Sequence, residues 1–331
     1  MADASEKNDD VERDGVPRDN AAAILAEPSQ SPYVSLTAHE AVKVFMAEER
    51  GITVRTVAAV VGAAIALVVL LVCRQLGIGL IVFLATCGAG SLWGVRARFR
   101  HFDQLRDIVA NDCDPLKMLG VINILLDEDL LATNHTRLQC MRAMCLAELG
   151  RADEALTQID MLAAKEGAKK ELGLDAFEVR AVAYGQTGDR EHLEEAYDQA
   201  RDLLDESRDG SREQVRVSTM LELVDGRLAL LDKEYGHCRR QLQLVLDANP
   251  TPQERATAEY RLGEVEEATG DVAEASKHYA YAALHGGTLA VQGAAEAKLV
   301  GNACEAATPG DDVTMAMPRL TVDDVLPEDA L

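Results

Sequence analysis

The amino-acid sequence predicts an all-α protein in which a pair of membrane-crossing helices precedes a stack of short helix pairs. Three observations carry that reading. The chain of 331 residues is 48% hydrophobic yet only 4% aromatic, too few aromatic side chains for the core of a β-sandwich or barrel. One fifty-residue window, 51–100, has no carboxylate in a chain whose formal charge is −23. Between residues 136 and 289, small and large residues return at fixed places in four successive windows, the mark of an array built from one repeated unit.

Charge is distributed unevenly: net −6 over residues 1–50, +5 over 51–100, −16 over 101–300 and −6 over 301–331. Carboxylates are excluded where burying them is most unfavourable, which directs the search for a membrane to the window 51–100. The acidic remainder disfavours nucleic-acid binding, which rests on Lys and Arg neutralising phosphates.

Residues 1–36 are polar and acidic and read as a disordered N-terminal tail. Thr37-Ala38-His39-Glu40 fits a capping box and opens a juxtamembrane helix, 37–51, with Val42, Phe45 and Met46 on one face. That helix either rests on the membrane surface or continues into the first span. A transmembrane hairpin follows over 52–98, with spans at about 56–73 and 76–95 joined by a tight turn near Arg74. Each uncharged run is long enough for a hydrocarbon core, about 30 Å at ~1.5 Å per residue. Small residues four apart, such as Ala59 and Ala63 or Gly90 and Gly94, suit close packing within the hairpin and also self-association between copies. Neither span holds an ionisable side chain, so the hairpin reads as an anchor rather than an ion pathway.

Cations border the hairpin: Lys43, Arg50 and Arg55 precede it, and Arg96, Arg98, Arg100 and Arg106 follow. By the positive-inside bias both termini and the domain after the hairpin are expected on the cytoplasmic side. The 7 Cys, with no C-x-x-C pair and no metal-ligand spacing, agree with a reducing compartment and give no metal centre.

A helical repeat domain is expected over 99–300. Residues 102–134 read as two helices around a break at Asp112 to Pro115, covering the first repeat and joining it to the membrane. Four repeats follow at about 136–169, 174–207, 219–252 and 256–289. Their eighth positions are Ala143, Ala181, Gly226 and Gly263, and their fifteenth are Gly150, Gly188, Lys233 and Gly270. Ala155, Leu193, Cys238 and Ala275 stand at the twentieth, Ile159, Tyr197, Leu242 and Tyr279 at the twenty-fourth, and Leu162, Ala200, Val245 and Ala282 at the twenty-seventh. Small residues let two helices approach, the large one fills the gap to the next unit, and the glycines mark left-handed helix ends. Leu289 to Val300 reads as a final covering helix, and 301–331 as a second disordered acidic tail, whose last dozen residues alternate acidic and apolar like a docking peptide.

This pattern resembles the tetratricopeptide repeat (TPR) family, most closely in Leu262-Gly263, Gly270-Asp271, Ala275, Tyr279 and Ala282 of the fourth window. Departures are the absence of the family's Trp at the fourth position and window starts 38, 45 and 37 residues apart. The resemblance implies a TPR-like α-solenoid of helix-turn-helix units, with the first helix of each unit lining a concave groove that binds a helical or extended peptide segment. Carried onto this chain, the partner groove consists of Arg137, Cys140, Met144, Glu178, Val182, Met220, Leu223, Arg227, Tyr260 and Glu264. The Lys and Asn set with which some members clamp a C-terminal carboxylate is absent.

The 7 His are scattered, and no nucleophile elbow, phosphate-binding loop, dinucleotide fingerprint or zinc motif is present. An enzyme is therefore not expected, nor a cofactor, a metal or a small-molecule substrate. The expected function is a membrane-anchored scaffold or adaptor for protein partners. The alternative is an accessory or chaperone-like subunit of a membrane translocase or envelope assembly machine.

Overall fold

The computed structural model describes residues 31–72, 76–128, 130–131, 134–165, 168–206 and 212–306. These are all-α: twelve helices and no strand among the described residues. In chain order they are α1 Ala38–Val72, α2 Leu76–Ala110, α3 Pro115–Asp127, α4 His135–Glu148, α5 Ala152–Ala163, α6 Ala168–Thr187, α7 Arg190–Glu206, α8 Arg212–Leu231, α9 Tyr235–Asp247, α10 Pro252–Thr269, α11 Val272–His285 and α12 Ala290–Ala306.

The first two helices are long and apolar enough to cross a membrane. Both are 35 residues, and neither breaks between its apolar part and the folded body. The juxtamembrane segment is thus the start of α1, and Thr37 and Glu40 form the capping box at its N-terminus, with Thr37 N–H donating to Glu40 Oε2 over 2.9 Å. Most of the described apolar side chains from Val54 to Val95 face outward, among them Ile65 at 61% and Ile81 at 70% exposure, as a lipid-facing surface requires. Between the helices contact is close: a Cβ on Gly90 would lie 3.6 Å from that of Ala59, and one on Gly94 would meet Thr56 Oγ1 at 2.8 Å. Small residues are used here within the hairpin.

Above the apolar stretch both helices enter the core of the body. Ala41, Val42 and Phe45 of α1 are buried with Phe102, Leu105, Ile108 and Val109 of α2 and with Met118, Val121, Ile122 and Leu125 of α3. His101 stacks on Phe45 at 4.1 Å between ring centroids, and its Nε2 lies 2.9 Å from the Phe45 carbonyl. Asp114 caps α3 by accepting from Lys117 N–H at 3.0 Å, and Pro115 occupies the first turn, where no hydrogen-bonding N–H is missed.

Residues 31–36, assigned to the tail from sequence, belong to this body. Tyr33 is fully buried, and Lys117 Nζ donates to the Val34 carbonyl over 3.0 Å. A single buried aromatic in an acidic stretch was the sign that composition averaged away. At the other end α12 continues to Ala306, six residues beyond the expected boundary; the remaining C-terminal tail, including its alternating segment, lies outside the described residues, as does the N-terminal tail up to residue 30.

From α4 onward, successive helices pack in pairs, and alternate helices also touch: α4 with α6, α6 with α8, α8 with α10. The repeat positions explain the pairing. Every residue named at the twentieth and twenty-seventh positions is buried, from Ala155 and Leu162 to Ala275 and Ala282. Position eight faces position twenty-four across each pair where a glycine exposes the contact: a Cβ on Gly226 would lie 3.3 Å from Leu242, and one on Gly263 only 2.5 Å from the Tyr279 ring. At the fifteenth position all four residues are left-handed, Gly150 (φ 80°), Gly188 (φ 73°), Lys233 (φ 62°) and Gly270 (φ 92°). Lys233 therefore adopts the glycine conformation without being glycine. Much of the stretch between the second and third windows extends a helix, since α8 starts at Arg212.

The series of contacts also returns to its beginning. Helix α10 touches α2, Thr288 N–H donates to the Cys113 carbonyl at 2.9 Å, and Thr288 Oγ1 donates to Asp114 Oδ1 at 3.0 Å. Gly287 (φ 55°) sits so close that a Cβ there would stand 2.3 Å from the Cys113 carbonyl oxygen.

Candidate functional site

Predicted groove residues come from α4, α6, α8 and α10, the helices whose alternate contacts bring them side by side. Helices α4, α6 and α8 carry polar residues toward α2, and the result is an ionic cluster. Arg106 of α2 pairs with Glu178 and, through Nη1 at 2.9 Å, with Asp175 of α6. Arg216 of α8 pairs with the same Glu178 and reaches Asp175 Oδ1 at 3.1 Å. Glu178 is 3% exposed, so two guanidiniums compensate a carboxylate that water barely reaches. Burial disfavours the charged form of Asp175, but Arg106 and Arg216 outweigh it and hold its carboxyl below the usual range. Arg106 in turn is desolvated, yet Glu178 and Asp175 push its pKa upward. The sequence suggested that Arg106 flanks the membrane; it points instead into the body and ties α2 to α6.

A second polar contact joins the ends of the array. Glu148 at the end of α4 is 7% exposed and accepts from Gln253 Nε2 at the start of α10 over 2.6 Å. Burial raises its pKa to about 7, opposed by the Gln253 hydrogen bond and reinforced by the nearby charge of Glu178. A third cluster lies on α8 and α10: Arg261 Nη1 sits 2.6 Å and Arg227 Nη1 3.5 Å from Glu264 Oε2, while Arg227 Nε donates to the Gly185 carbonyl at 2.7 Å. Burial and the neighbouring Arg261 lower Arg227 to about 10.

The ten sequence-derived groove residues therefore divide. Cys140, Glu178 and Tyr260 are buried, and burial pushes the Cys140 thiol up to about 12, where it behaves as a small apolar group. Arg137 pairs with Asp103 at 2.9 Å and lies over the rings of Phe99 and Phe102 at 5.4 and 5.2 Å. Met144 and Val182 pack against one core cluster, Met220 against a second and Leu223 against a third, all four partly buried. Arg227 and Glu264 pair with each other. Sequence reasoning missed Arg106, Arg216, Glu148 and Gln253 as partners, because each pairs with a residue on a helix distant in sequence, 69 positions from Arg106 to Asp175, 41 from Arg216 to Asp175 and 105 from Gln253 to Glu148. The available signal was the pair of carboxylates Asp175 and Glu178 on one face of α6, which need cations opposite.

Two shallow depressions, of about 270 and 250 Å3, lie on other faces, around Met161 and Lys165 and around Arg180, His192 and Glu195. None of the ten residues lines either. Among the described residues no cluster of three or more His, Cys, Asp or Glu is arranged to hold a metal ion. No protein-family model, no curated protein and no solved structure matches the chain.

Proposed function

We propose that this chain is a membrane-anchored interaction scaffold whose TPR-like repeat body stands on the cytoplasmic face and binds protein segments. The observation that supports it most directly is the continuity of α1 and α2 from apolar, outward-facing stretches into a buried core, with no linker between. Such a joint gives an anchor whose attached body has a fixed orientation. The repeat positions, with four left-handed residues at one place in four units, favour the TPR-like reading of that body. Seven members of the expected lining, Arg137, Met144, Val182, Met220, Leu223, Arg227 and Glu264, keep part of their surface exposed and are the ones within reach of a partner. Met adapts to varied apolar side chains and Arg is frequent among interface anchors, which suits a segment carrying both apolar and acidic groups.

A second reading, a subunit of a larger membrane assembly, is favoured by Gly62 and Gly88, where an added Cβ would meet nothing within 4 Å and another span could pack closely. Two measurements test these readings. A single Cys introduced at exposed Lys277 in a Cys-free chain should resist an impermeant thiol reagent in intact cells and react after lysis; labelling from outside would overturn the cytoplasmic placement. A photo-crosslinking residue at Met220 should give a discrete protein adduct that one at Met161 does not, whereas adducts confined to positions 62 and 88 would favour the assembly subunit.

A further inference from the structure

The border between the apolar stretch and the body carries charge that the protein itself does not neutralise. Close contacts set the register of the hairpin: Ala59 faces Gly90, Thr56 faces Gly94, and Arg98 reaches Thr53 at 3.1 Å and Glu49 at 3.0 Å. In that register Arg55 stands level with Arg96, and Arg50 with Arg100. At ~1.5 Å per residue the four guanidiniums occupy a collar roughly 8 Å deep at the end of both uncharged runs. All four are exposed, and none has a hydrogen bond or ion pair among the described residues.

Neighbouring carboxylates are engaged elsewhere. Glu49 is spent on Arg98, Glu48 lies 3.5 Å from His101, and Asp103 pairs with Arg137. Four such cations in a chain of net charge −23 therefore sit at the depth where a bilayer places its phosphates. Trp93, one turn below Arg96 and 45% exposed, is the side chain that prefers this interface.

We propose that Arg50, Arg55, Arg96 and Arg100 form a collar that selects anionic phospholipid headgroups around the hairpin. The guanidinium fork matches the phosphate oxygens, and an added negative headgroup charge distinguishes these lipids from zwitterionic ones. Attraction between these arginines and the headgroups would offset the repulsion between the acidic body and a negatively charged surface. The proposal rests on the reading that α1 and α2 span a membrane.

Trp93 is the only Trp in the chain and makes the test direct. The full chain is reconstituted into vesicles of phosphatidylcholine and phosphatidylglycerol, with brominated acyl chains on one lipid or the other, and quenching of Trp93 is compared per mole of each. Brominated phosphatidylglycerol should associate about five-fold more strongly. Replacing all four residues, Arg50→Gln, Arg55→Gln, Arg96→Gln and Arg100→Gln, should bring the ratio close to one. Equal quenching by the two lipids in the native chain overturns the collar and leaves the membrane reading standing, and so does a preference that survives the four substitutions. No quenching by either lipid overturns the membrane reading itself. If the fourfold variant does not insert, the native ratio should fall toward one at about 1 M salt, where exposed charges are screened within ~3 Å; a ratio indifferent to salt counts against the collar.

Discussion

Gln253 donates its 2.6 Å hydrogen bond to Glu148 across the seam where the start of α10 meets the end of α4, and the accepting carboxyl is almost wholly buried. Its pKa of about 7, above the ordinary 4.5, means the folded protein holds this proton more tightly than the unfolded chain. The stabilisation is therefore complete below about pH 4.5 and lost as pH rises through about 7. Glu148→Gln should be more stable than the native chain at pH 8, by up to about 3 kcal/mol, and should flatten the difference in melting temperature between pH 5 and pH 8. Parallel curves for the two proteins over that range would show that Glu148 does not titrate in the fold.

Gly263 leaves no room for a side chain against Tyr279, whose hydroxyl is held by Glu267 at 2.7 Å and whose ring cannot easily move aside. Gly263→Ala should destabilise the body by about 1–3 kcal/mol, measured by denaturant titration of the detergent-solubilised chain. Gly226→Ala, whose contact is the flexible end of Leu242, should have a smaller effect.

Lys233 holds a left-handed backbone that the other three repeats give to glycine, and its side chain is exposed. Lys233→Gly should raise stability by roughly 0.5–1 kcal/mol, the relief of Cβ strain exceeding the added freedom of the unfolded chain. A lower melting temperature would mean that the lysine side chain contributes something the backbone argument omits.

Removing Arg106 strands Glu178 and Asp175 with a single cation. Arg106→Met should cost about 3–5 kcal/mol, more than Glu178→Gln combined with Arg106→Met, because the double change removes buried charge of both signs. Additive losses would indicate that the two side chains act independently.

Local signals were legible in the sequence wherever one short stretch contained its own physical cause. The capping box of Thr37 and Glu40, the break at Asp112 to Pro115 and the helix ends at Gly150, Gly188 and Gly270 all depend on neighbours within a few residues. The burial of Ala155, Leu193, Cys238 and Ala275 followed from their shared place in the aligned windows. What could not be read was the return of α10 to α2 and the inward aim of Arg106, since an arginine less than two turns beyond the run of Arg96, Arg98 and Arg100 has much the same local context as they do. Tyr33 was missed for a related reason: its burial is decided by α1 and α3, not by the polar residues beside it.

An open array of repeats can fray from its ends, each unit melting with only its neighbour to hold it. The seam formed by Thr288, Cys113, Gly287, Gln253 and Glu148 removes that freedom. The last pair cannot loosen without exposing the segment that receives α1 and α2, so the body should melt as one cooperative unit, and a lesion near the C-terminus should be felt at those two helices.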